Sequence, residues 1–451
     1  MIWPSESRRT KKRLTEKPGG RTFFEESMRV LLISANREEI NMRVLPLGLA
    51  CVAAATKKAG YEVKLLDLME VENPEESIQK IINTFNPQVI GLSVRNIDDQ
   101  KMEPARFLLD RTKEIVSLCR RLSPAPLILG GAGFSIFPDQ TLEYLEADMG
   151  IQGEGEGVFP LLLDRLNRKE DLSGLPGLYL RGKGLQGKRT FITKLDDLPW
   201  EDVFSWFNSS SNLQEYLMTV QTRRGCPMNC SFCSTAMIEG RTIRKRSPEA
   251  VAKDINNQMR AGLRKFYFTD NTFNIPPDYA KALCRQLKGL PSKPRWQCIP
   301  YAGKVDEELA KLMAEAGCIG ASIGFESGSE SVLRALNKHF SLYDVRHTSQ
   351  MLSDQGIGRM GFLLLGGPGE TRETVEESLT FADNLHLEAI KITIGIRIYP
   401  ETPLARIALQ EGMITEKTNL LFPTFYLTRG LEDWLHKTVQ KWIADRPNWL
   451  M

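Results

Sequence analysis

Apolar residues along the first third of the chain occur in short runs separated by segments with helical spacing. The runs are rich in Val, Ile and Leu, and they predict strands at residues 29–35, 62–68, 88–94, 126–132 and 148–154. They lack the polar alternation of a half-exposed sheet, and segments such as 47–60 and 73–85 between them predict helices. Strands of this kind form parallel sheets that helices cover on both faces. This part of the chain therefore predicts a doubly wound α/β domain, which binds ligands at the carboxyl ends of its strands.

A second series of apolar runs begins near residue 216. These runs predict six strands, at residues 216–222, 265–271, 295–300, 318–327, 359–369 and 389–400. Helical segments, among them 306–317 and 371–386, separate the strands. Repeated strand–helix units are typical of a complete or partial β/α barrel, whose functional residues lie at the C-terminal ends of the strands.

Turn-forming residues divide the chain into regions. Clusters of Gly, Pro and Ser between the two series indicate a boundary. We predict a disordered extension (1–27), a doubly wound Rossmann-like domain (28–165), a linker (166–216), a partial (β/α)6 barrel (217–405) and a helical C-terminal region (406–451). In the last region, apolar residues from Leu431 to Ile443 form one helical stripe, which we expect to pack on the barrel. Contact with a membrane surface through Lys437 and Lys441 is the alternative.

Composition and charge narrow the functional classes. The chain has 451 residues, is 42% hydrophobic and carries a formal net charge of +3. So small a charge gives no reason to expect nucleic-acid binding, and no apolar run approaches the ~20 residues that a membrane span needs. The first 27 residues are polar and basic, without the apolar centre of a secretory signal, and Met28 is an alternative start. With no export signal and no regular cysteine framework, we expect a reducing, cytoplasmic setting.

Three of the eight cysteines are clustered. Cys226, Cys230 and Cys233 lie within eight residues, in the loop after the first strand of the second series. The other five have no regular spacing and are expected to be small buried hydrophobic residues. Structural zinc sites normally have four ligands. A fourth Cys or His is not found near these three in sequence, since the next one along the chain is Cys284. Thiolates also suit iron–sulfur clusters, and three of them would leave one iron open.

Glycines mark the ends of two strands in the first domain. Gly130, Gly131 and Gly133 follow one strand, and Gly153 with Glu154 follows the next. Glycine allows close approach of the backbone to a ligand. The loop after the first strand has no glycine before Gly48, so the dinucleotide fingerprint is absent and a nicotinamide cofactor is disfavoured. Tight turns without a ligand are the alternative.

These segments carry a family resemblance. Residues 28–165, with "LGGAGFSIFPDQTL" and "GIQGEGEGVFPLLL", resemble the cobalamin-binding domain that precedes many radical S-adenosylmethionine (SAM) enzymes. The cobalt-ligating D-x-H-x-x-G motif is absent, and all four histidines lie beyond residue 338. The lower face of cobalt is thus expected to be open or covered by another side chain, for which Arg95 and Asn96 are candidates. A solvated surface arginine is the alternative. The resemblance implies this corrinoid-binding set: Gly48, Ser93, Arg95, Asn96, Gly130, Gly131, Gly133, Gly153 and Glu154.

The C-x-x-x-C-x-x-C motif, with Phe232 before its third cysteine, resembles the signature of radical SAM enzymes. The resemblance implies that its three cysteines bind a [4Fe–4S] cluster and that SAM occupies the fourth iron. It also implies that Glu326 contacts the SAM ribose, that Gly366 and Gly367 lie beside SAM, and that Asp270 lines the pocket. Helix capping or a structural hydrogen bond is the alternative for both carboxylates.

The pair of domains implies a reaction. A SAM-derived radical would abstract hydrogen from an inert carbon, and methylcobalamin would supply a methyl group. We therefore expect a methyltransferase with an unidentified small-molecule, lipid or peptide substrate and a flavodoxin- or ferredoxin-type electron donor. Cyclisation or rearrangement is one alternative. A first domain that serves only as a docking module is another.

Overall fold

The computed structural model describes residues 27–38, 45–206 and 217–451. The predicted disordered extension lies outside the described residues except for Ser27. Two seven-stranded sheets form the two domains, one within residues 29–185 and one within residues 218–450.

The first domain contains a mixed sheet in the order β2-β1-β3-β4-β5-β6-β7. Its strands are β1 (Arg29–Ser34), β2 (Glu62–Asp67), β3 (Val89–Ser93), β4 (Leu127–Gly130), β5 (Met149–Ile151), β6 (Leu178–Leu180) and β7 (Gly184–Leu185). Its helices are α1 (Leu47–Lys58), α2 (Pro74–Phe85), α3 (Leu109–Leu122), α4 (Ala132–Ile136), α5 (Pro138–Leu145) and α6 (Gly155–Arg168). The five strands β1 to β5 are parallel, while β6 and β7 pair antiparallel at the edge. The region predicted as a linker therefore contributes two strands to this sheet.

Local sequence explains how these elements begin and end. In α2, the side chain of Asn73 accepts a hydrogen bond from the Glu76 amide, and Pro74 occupies the first helical position. The helix ends at Asn86, which has a left-handed conformation. A capping Asn followed by Pro favours a helix start because the first amides have no partner within the helix. The face that α2 buries carries Ile78, Ile82 and Phe85.

The second domain contains a parallel sheet in the order β18-β15-β14-β13-β12-β11-β8. Its strands are β8 (Met218–Val220), β11 (Lys265–Phe268), β12 (Arg295–Cys298), β13 (Cys318–Glu326), β14 (Gly358–Leu365), β15 (Ala389–Ile394) and β18 (Trp449–Leu450). Two small antiparallel pairs are formed by β9 (Arg223–Arg224) with β10 (Arg244–Lys245), and by β16 (Ile396–Arg397) with β17 (Phe425–Tyr426). The sheet is open between β8 and β18, as a partial barrel is.

Helices follow the strands of the second sheet. After α7 (Trp200–Ser205), these are α8 (Thr235–Glu239), α9 (Pro248–Arg260), α10 (Pro277–Lys288), α11 (Glu307–Glu315), α12 (Glu330–Ala335), α13 (Leu342–Asp354), α14 (Arg372–Asp383), α15 (Pro403–Gln410) and α16 (Glu432–Ile443). As predicted, α16 packs on the domain, since Leu435 and Val439 are fully buried in its core. Among the helices of the described ranges, none combines the length and the apolar character that crossing a bilayer requires.

The two domains share a hydrophobic core. Ala50, Cys51 and Ala54 on α1 belong to the same cluster of buried residues as the core of the second domain. A buried ion pair, Arg397 Nε to Asp98 Oδ2 at 2.7 Å, joins the domains elsewhere. This packing brings the carboxyl ends of the two sheets to face each other.

Candidate active site between the two domains

A cavity of about 530 Å³ lies where the two sheets meet. Ser34, Ser93 and Gly130 line it at the ends of strands of the first domain, and Gln221 and Thr269 line it just beyond strand ends of the second. The volume falls within the range of pockets that bind small molecules and cofactors. Both domains therefore direct their usual binding edge toward one space.

Glycine shapes the wall of this cavity on the side of the first domain. Gly131 has a φ of +98°, and a Cβ there would lie 2.6 Å from the Val94 carbonyl oxygen and 2.9 Å from Ser93 Oγ. Only glycine adopts this conformation without strain. The wall contains seven of the nine residues predicted to bind the corrinoid: Gly48, Ser93, Arg95, Gly130, Gly131, Gly153 and Glu154.

The other two predicted residues lie elsewhere. Gly133 is buried in α4, where a Cβ would lie 3.1 Å from the Arg95 carbonyl oxygen. Asn96 donates a hydrogen bond to Asn36 Oδ1 at 3.4 Å and lines a separate small cavity. Arg95 differs from both, because it lines the main cavity as well as the small one. Among the described residues it has no ion-pair partner, and desolvation lowers its pKa.

Buried ion pairs join the two domains at the edge of the cavity. Arg224 Nη2 donates to Glu156 Oε1 at 2.6 Å, and Arg224 Nη1 lies 3.5 Å from Glu154 Oε1. Arg244 also pairs with Glu154, whose other carboxylate oxygen accepts from the Ile192 amide at 2.6 Å. The four ion-pairing side chains are at most 7% exposed. Glu154, predicted as a corrinoid-binding residue, thus has its carboxylate occupied in this interdomain cluster.

Glu239 forms the centre of the opposite wall. Its carboxylate accepts from Gln221 Nε2 at 3.1 Å, Asn271 Nδ2 at 2.6 Å and the Gly225 amide at 3.0 Å. Burial raises its pKa, while the hydrogen bond from the Gly225 amide, the charge of Arg224 and the hydrogen bond from Asn271 oppose that shift. Glu239 therefore fixes the start of the cysteine loop and the polar surface that faces the first domain.

The cysteine loop connects β9 to α8. It is held near its start and in its middle by backbone hydrogen bonds, from the Cys226 amide to the Gly240 carbonyl at 3.1 Å and from the Ser231 amide to the Leu336 carbonyl at 3.0 Å. Gly225 precedes it with a φ of +89° and so close to Thr242 that a Cβ would lie 2.2 Å from the carbonyl oxygen. The loop conformation is thus set by its neighbours.

The three clustered thiols line a second cavity of about 400 Å³. No three His, Cys, Asp or Glu side chains in the described ranges are close enough to bind one metal ion together. Three thiolates leave one iron of a [4Fe–4S] cluster open, whereas a structural zinc site normally has four ligands. The donor set therefore suits a cluster. Burial raises the pKa of Cys226 to about 11, so cluster binding would release protons.

Asp270 lies away from both cavities. Its carboxylate accepts from the amides of Thr222 and Arg223 at 2.8 and 3.1 Å, and it is 1% exposed. Its neighbours Thr269 and Asn271 line the main cavity instead. Asp270, predicted to line the pocket, is thus not among the residues that line either cavity: alternation along the strand end turns it inward, where it holds the backbone before the cysteine loop.

Glu326 ends β13 in a strained conformation. It has a φ of +67° beside an irregularity in the pairing with β14, and its carboxylate accepts a hydrogen bond from Lys338 Nζ at 3.0 Å. A non-glycine residue in this region carries backbone strain that the surrounding structure must hold. Phe232 is half-buried, and its ring centroid lies 5.4 Å from the same Nζ atom.

The Gly366–Gly367 turn is braced on both sides. The Glu370 carboxylate accepts from both glycine amides, at 2.9 Å from Gly367. Thr428 donates its amide to the Gly366 carbonyl at 3.0 Å and its hydroxyl to the Gly367 carbonyl at 2.5 Å. These amides are therefore not free to bind a ligand, and any contact with SAM is left to the Cα atoms.

Two family models match the chain. A B12 binding domain matches residues 33–163, and the Radical SAM superfamily matches residues 220–382. The chain joins a B12-binding domain to a radical SAM domain. The resemblance drawn from the sequence is confirmed, and the cofactors of this cobalamin-dependent radical SAM enzyme are a [4Fe–4S] cluster, SAM and cobalamin. A radical SAM enzyme also needs a reductant.

Individual relatives agree with this architecture. An uncharacterized methyltransferase from Pyrococcus horikoshii is 25% identical over 92% of this chain and 91% of its own length. The tryptophan 2-C-methyltransferase of Streptomyces laurentii is 25% identical over 84% of this chain and 74% of its own. An anaerobic magnesium-protoporphyrin IX monomethyl ester cyclase from Cereibacter sphaeroides is 25% identical over 75% and 56%. The relatives thus include methyltransferases and a cyclase.

A solved structure shares the fold. The radical SAM methyltransferase TsrM from Kitasatospora setae, with cobalamin and a [4Fe–4S] cluster bound, has a TM-score of 0.81 at 23% identity, covering 94% of this chain and 91% of that one.

Four residues of the site were not predicted from the sequence: Arg224, Glu239, Lys338 and Glu370. Of these, only Arg224 lies within the cysteine motif segment, and its charge beside that motif was the one available signal.

Proposed function

We propose that the protein is a methyltransferase that transfers a methyl group to an unactivated carbon. One observation carries this proposal: Thr235 lines both the cavity at the strand ends of the B12-binding domain and the cavity that contains the three thiols. The two cavities therefore adjoin. A substrate between them would be within reach of the cofactors of both domains. A first domain that served only as a docking module would not need its cavity to adjoin the thiol site.

Particular residues are assigned to each cofactor in this proposal. Cys226, Cys230 and Cys233 bind the cluster, and Glu326 contacts the SAM ribose. The glycine wall around Gly131 receives the corrinoid, with these further members: Gly48, Ser93, Gly130 and Gly153. The fit is supported by Gly131, because a Cβ there would lie 2.6 Å from the Val94 carbonyl oxygen and would displace the wall of the cavity.

Arg95 is assigned to the lower face of the corrinoid. It follows β3, where it lines the cavity beside Ser93 and Gly131, and it has no carboxylate partner among the described residues. Histidine is not available for this position because residues 28–165 contain none. A guanidinium is always protonated and does not coordinate metals readily, so it would cover the lower face without ligating cobalt.

When bound, the cofactors would supply a carbon radical and a methyl group. In total, one substrate molecule, two molecules of SAM and two electrons would give the methylated product, 5′-deoxyadenosine, methionine and S-adenosylhomocysteine, with the substrate hydrogen transferred to 5′-deoxyadenosine. The chain's own residues position and seal the reacting groups. The Arg224 ion pairs fix the distance between the domains. Glu239 holds Gln221 and Asn271 toward the substrate space, and the shared core excludes water.

The electrons require a partner. Cys233 is exposed and Cys230 is partly exposed, so the cluster site opens toward the second cavity. A small flavodoxin- or ferredoxin-type donor is proposed as this partner, because a single-electron carrier must approach the cluster closely.

The test uses methyl-deuterated SAM with anaerobically reconstituted protein and candidate substrates. A methyltransferase yields labelled product together with 5′-deoxyadenosine and S-adenosylhomocysteine in about equal amounts. Omitting cobalamin should stop product formation even where some 5′-deoxyadenosine still appears. A product of unchanged carbon count, without S-adenosylhomocysteine, would reject methyl transfer in favour of a cyclase or rearrangement enzyme.

A further inference from the structure

Lys338 is a buried cation beside the cysteine loop. Its Nζ atom lies 3.0 Å from Glu326 Oε1, and the side chain is 7% exposed. The same atom lies 5.4 Å from the ring centroid of Phe232 and 5.8 Å from that of Phe340. Phe232 stands directly before Cys233 and two positions after Cys230, so the ammonium group is held at the thiol site.

The backbone keeps Lys338 in this place. The Leu336 carbonyl accepts from the Ser231 amide, and the Asn337 side chain donates to the Asn229 carbonyl. Asn337 itself has a φ of +55°, which a residue with a short polar side chain tolerates. The segment that carries Lys338 is therefore hydrogen-bonded to the loop that carries the cysteines at two points.

Burying the Lys338 charge costs folding free energy. A buried ion pair is often no more stable than apolar residues of the same volume, because both charges lose their hydration. Glu326 adds backbone strain to that cost. A lysine ammonium has three donors, and its partners here are Glu326 and, at 3.5 Å, the Gly324 carbonyl. One donor is left, on a side chain whose neighbouring residues are hydrogen-bonded to the cysteine loop.

Glu326 keeps Lys338 positively charged. Burial lowers the pKa of Lys338, but the neighbouring Glu326 carboxylate raises it and the net shift is upward. Glu326 thus contacts Lys338 in addition to the SAM ribose proposed for it above.

We propose that Lys338 is a positioning and electrostatic residue of the cluster site: its positive charge, fixed by Glu326, stabilises the one-electron-reduced cluster. This inference rests on the proposed assignment of the three cysteines. Reduction adds one negative charge to the cluster, and a nearby cation in a low-dielectric site favours that state. The same ion pair links the cluster to the residue proposed for SAM, so the two sites share one anchor.

The test is a redox titration of the reconstituted cluster followed by electron paramagnetic resonance. In Lys338→Met, the ratio of reduced to oxidised cluster at a given potential should fall about tenfold, which is a shift of about 59 mV to more negative potential for one electron. Lys338→Arg keeps the charge and should recover most of the shift. Glu326→Gln should also change the midpoint, because it releases the ammonium group.

A matched control removes a buried cation elsewhere. Arg359, which is 8% exposed, pairs with Glu388 at the beginning of β14, the end of the sheet opposite the cysteines. Arg359→Met should leave the midpoint potential at the wild-type value. Iron and sulfide counts on every variant keep cluster loss separate from a change of potential.

The outcomes separate this inference from the assignment it rests on. Failure of the wild-type protein to assemble a cluster would reject the cysteine assignment. A full cluster in Lys338→Met with the wild-type potential would reject the inference alone. Weaker SAM binding at an unchanged potential would likewise overturn it and assign Lys338 to the SAM carboxylate.

Discussion

Arg224 and Glu156 form a buried ion pair across the domain boundary, with Nη2 2.6 Å from Oε1. Arg224 stands two residues before Cys226, and Glu156 lies in the first turn of α6, whose start lines the cavity of the B12-binding domain. Arg224 Nε also donates to Gln221 Oε1 at 2.8 Å, and Gln221 donates to Glu239. One guanidinium therefore connects the loop of the proposed cluster with the corrinoid side of the site.

Breaking this pair should destabilise the protein strongly. In Glu156→Gln, the Arg224 charge stays buried with only Glu154 at 3.5 Å, and such losses cost about 3 to 5 kcal/mol. The urea midpoint should fall, and the corrinoid retained after gel filtration should fall with it. Glu201→Gln, which breaks an exposed pair with Lys253, should leave both unchanged. A wild-type midpoint in Glu156→Gln would show that the ion pair does not hold the domains together.

Gly131 should be intolerant of a side chain. Gly131→Ala places a Cβ against the Val94 carbonyl oxygen in a left-handed conformation, which costs about 2 kcal/mol or more. Corrinoid affinity should fall as well, because the wall of the cavity must shift. Gly157→Ala is the control, since it lies inside α6 with no atom within 4 Å of the new Cβ, and it should stabilise the protein by about 0.5 to 1 kcal/mol. Equal behaviour of the two variants would contradict the proposed role of Gly131.

Substitution of the three clustered cysteines should affect the cluster, whereas substitution of the other cysteines should not. Cys226→Ala, Cys230→Ala and Cys233→Ala should each lose the cluster and SAM cleavage, because all three thiolates are needed to hold it. Cys284 and Cys298 are buried in the core of the second domain, so their Ala variants should keep full iron and sulfide counts. Complete cluster retention in Cys230→Ala, measured by iron and sulfide analysis with electron paramagnetic resonance, would overturn the assignment.

The architecture could be predicted because its signals are local. The run at 318–327 is a strand from Cys318 to Glu326, and continuous apolar character is what burial on both faces of a parallel sheet requires. The cavity wall could be predicted for a related reason. Parallel strands all end at one edge, so residues such as Ser93 and Gly130, far apart in sequence, come together there.

Features that depend on distant partners could not be predicted. Glu154 pairs with Arg244, 90 positions away, and Asp270 with the Thr222 amide, 48 positions away. Periodicity reports which face a residue occupies but not which side chain meets it across a domain boundary. Lys338 is the clearest case, because a lysine is almost never buried without a partner and nothing near it in sequence identifies that partner. The strands at 178–180 and 184–185 are too short to show a period.

The lower face of cobalt should carry no protein imidazole. Residues 28–165 contain no histidine, and Arg95 is the residue that the cavity offers. Protein labelled with ¹⁵N-histidine should therefore give the same Co(II) resonance spectrum as unlabelled protein, since any nitrogen splitting would come from the corrinoid itself. A label-dependent change would mean that a histidine of the second domain, such as His339, reaches cobalt, and the proposed arrangement of the corrinoid would be wrong.

The carboxyl of Glu370 should make stability depend on pH. It is 2% exposed, its Oε2 accepts from the amides of Gly366 and Gly367, and its Oε1 has no partner among the described residues. Burial raises its pKa from 4.5 to about 7, against the effect of the two amides. Because the folded state binds this proton more tightly than the unfolded state, the stabilisation is complete below pH 4.5 and is lost as pH rises through 7.

Glu370→Gln should remove this loss, since its side chain is neutral at every pH and an amide oxygen still accepts from both glycine amides. The urea unfolding free energy of the variant relative to the wild type should therefore increase from pH 5 to pH 8.5, by up to about 3 kcal/mol. Glu376→Gln, on the exposed face of α14, controls for removal of a carboxylate and should follow the wild type. If the Glu370→Gln and wild-type curves stay parallel across this range, the Gly366–Gly367 turn is held by an ionised Glu370 carboxylate. The protonation of Glu370 would then not set the stability of the SAM side of the site.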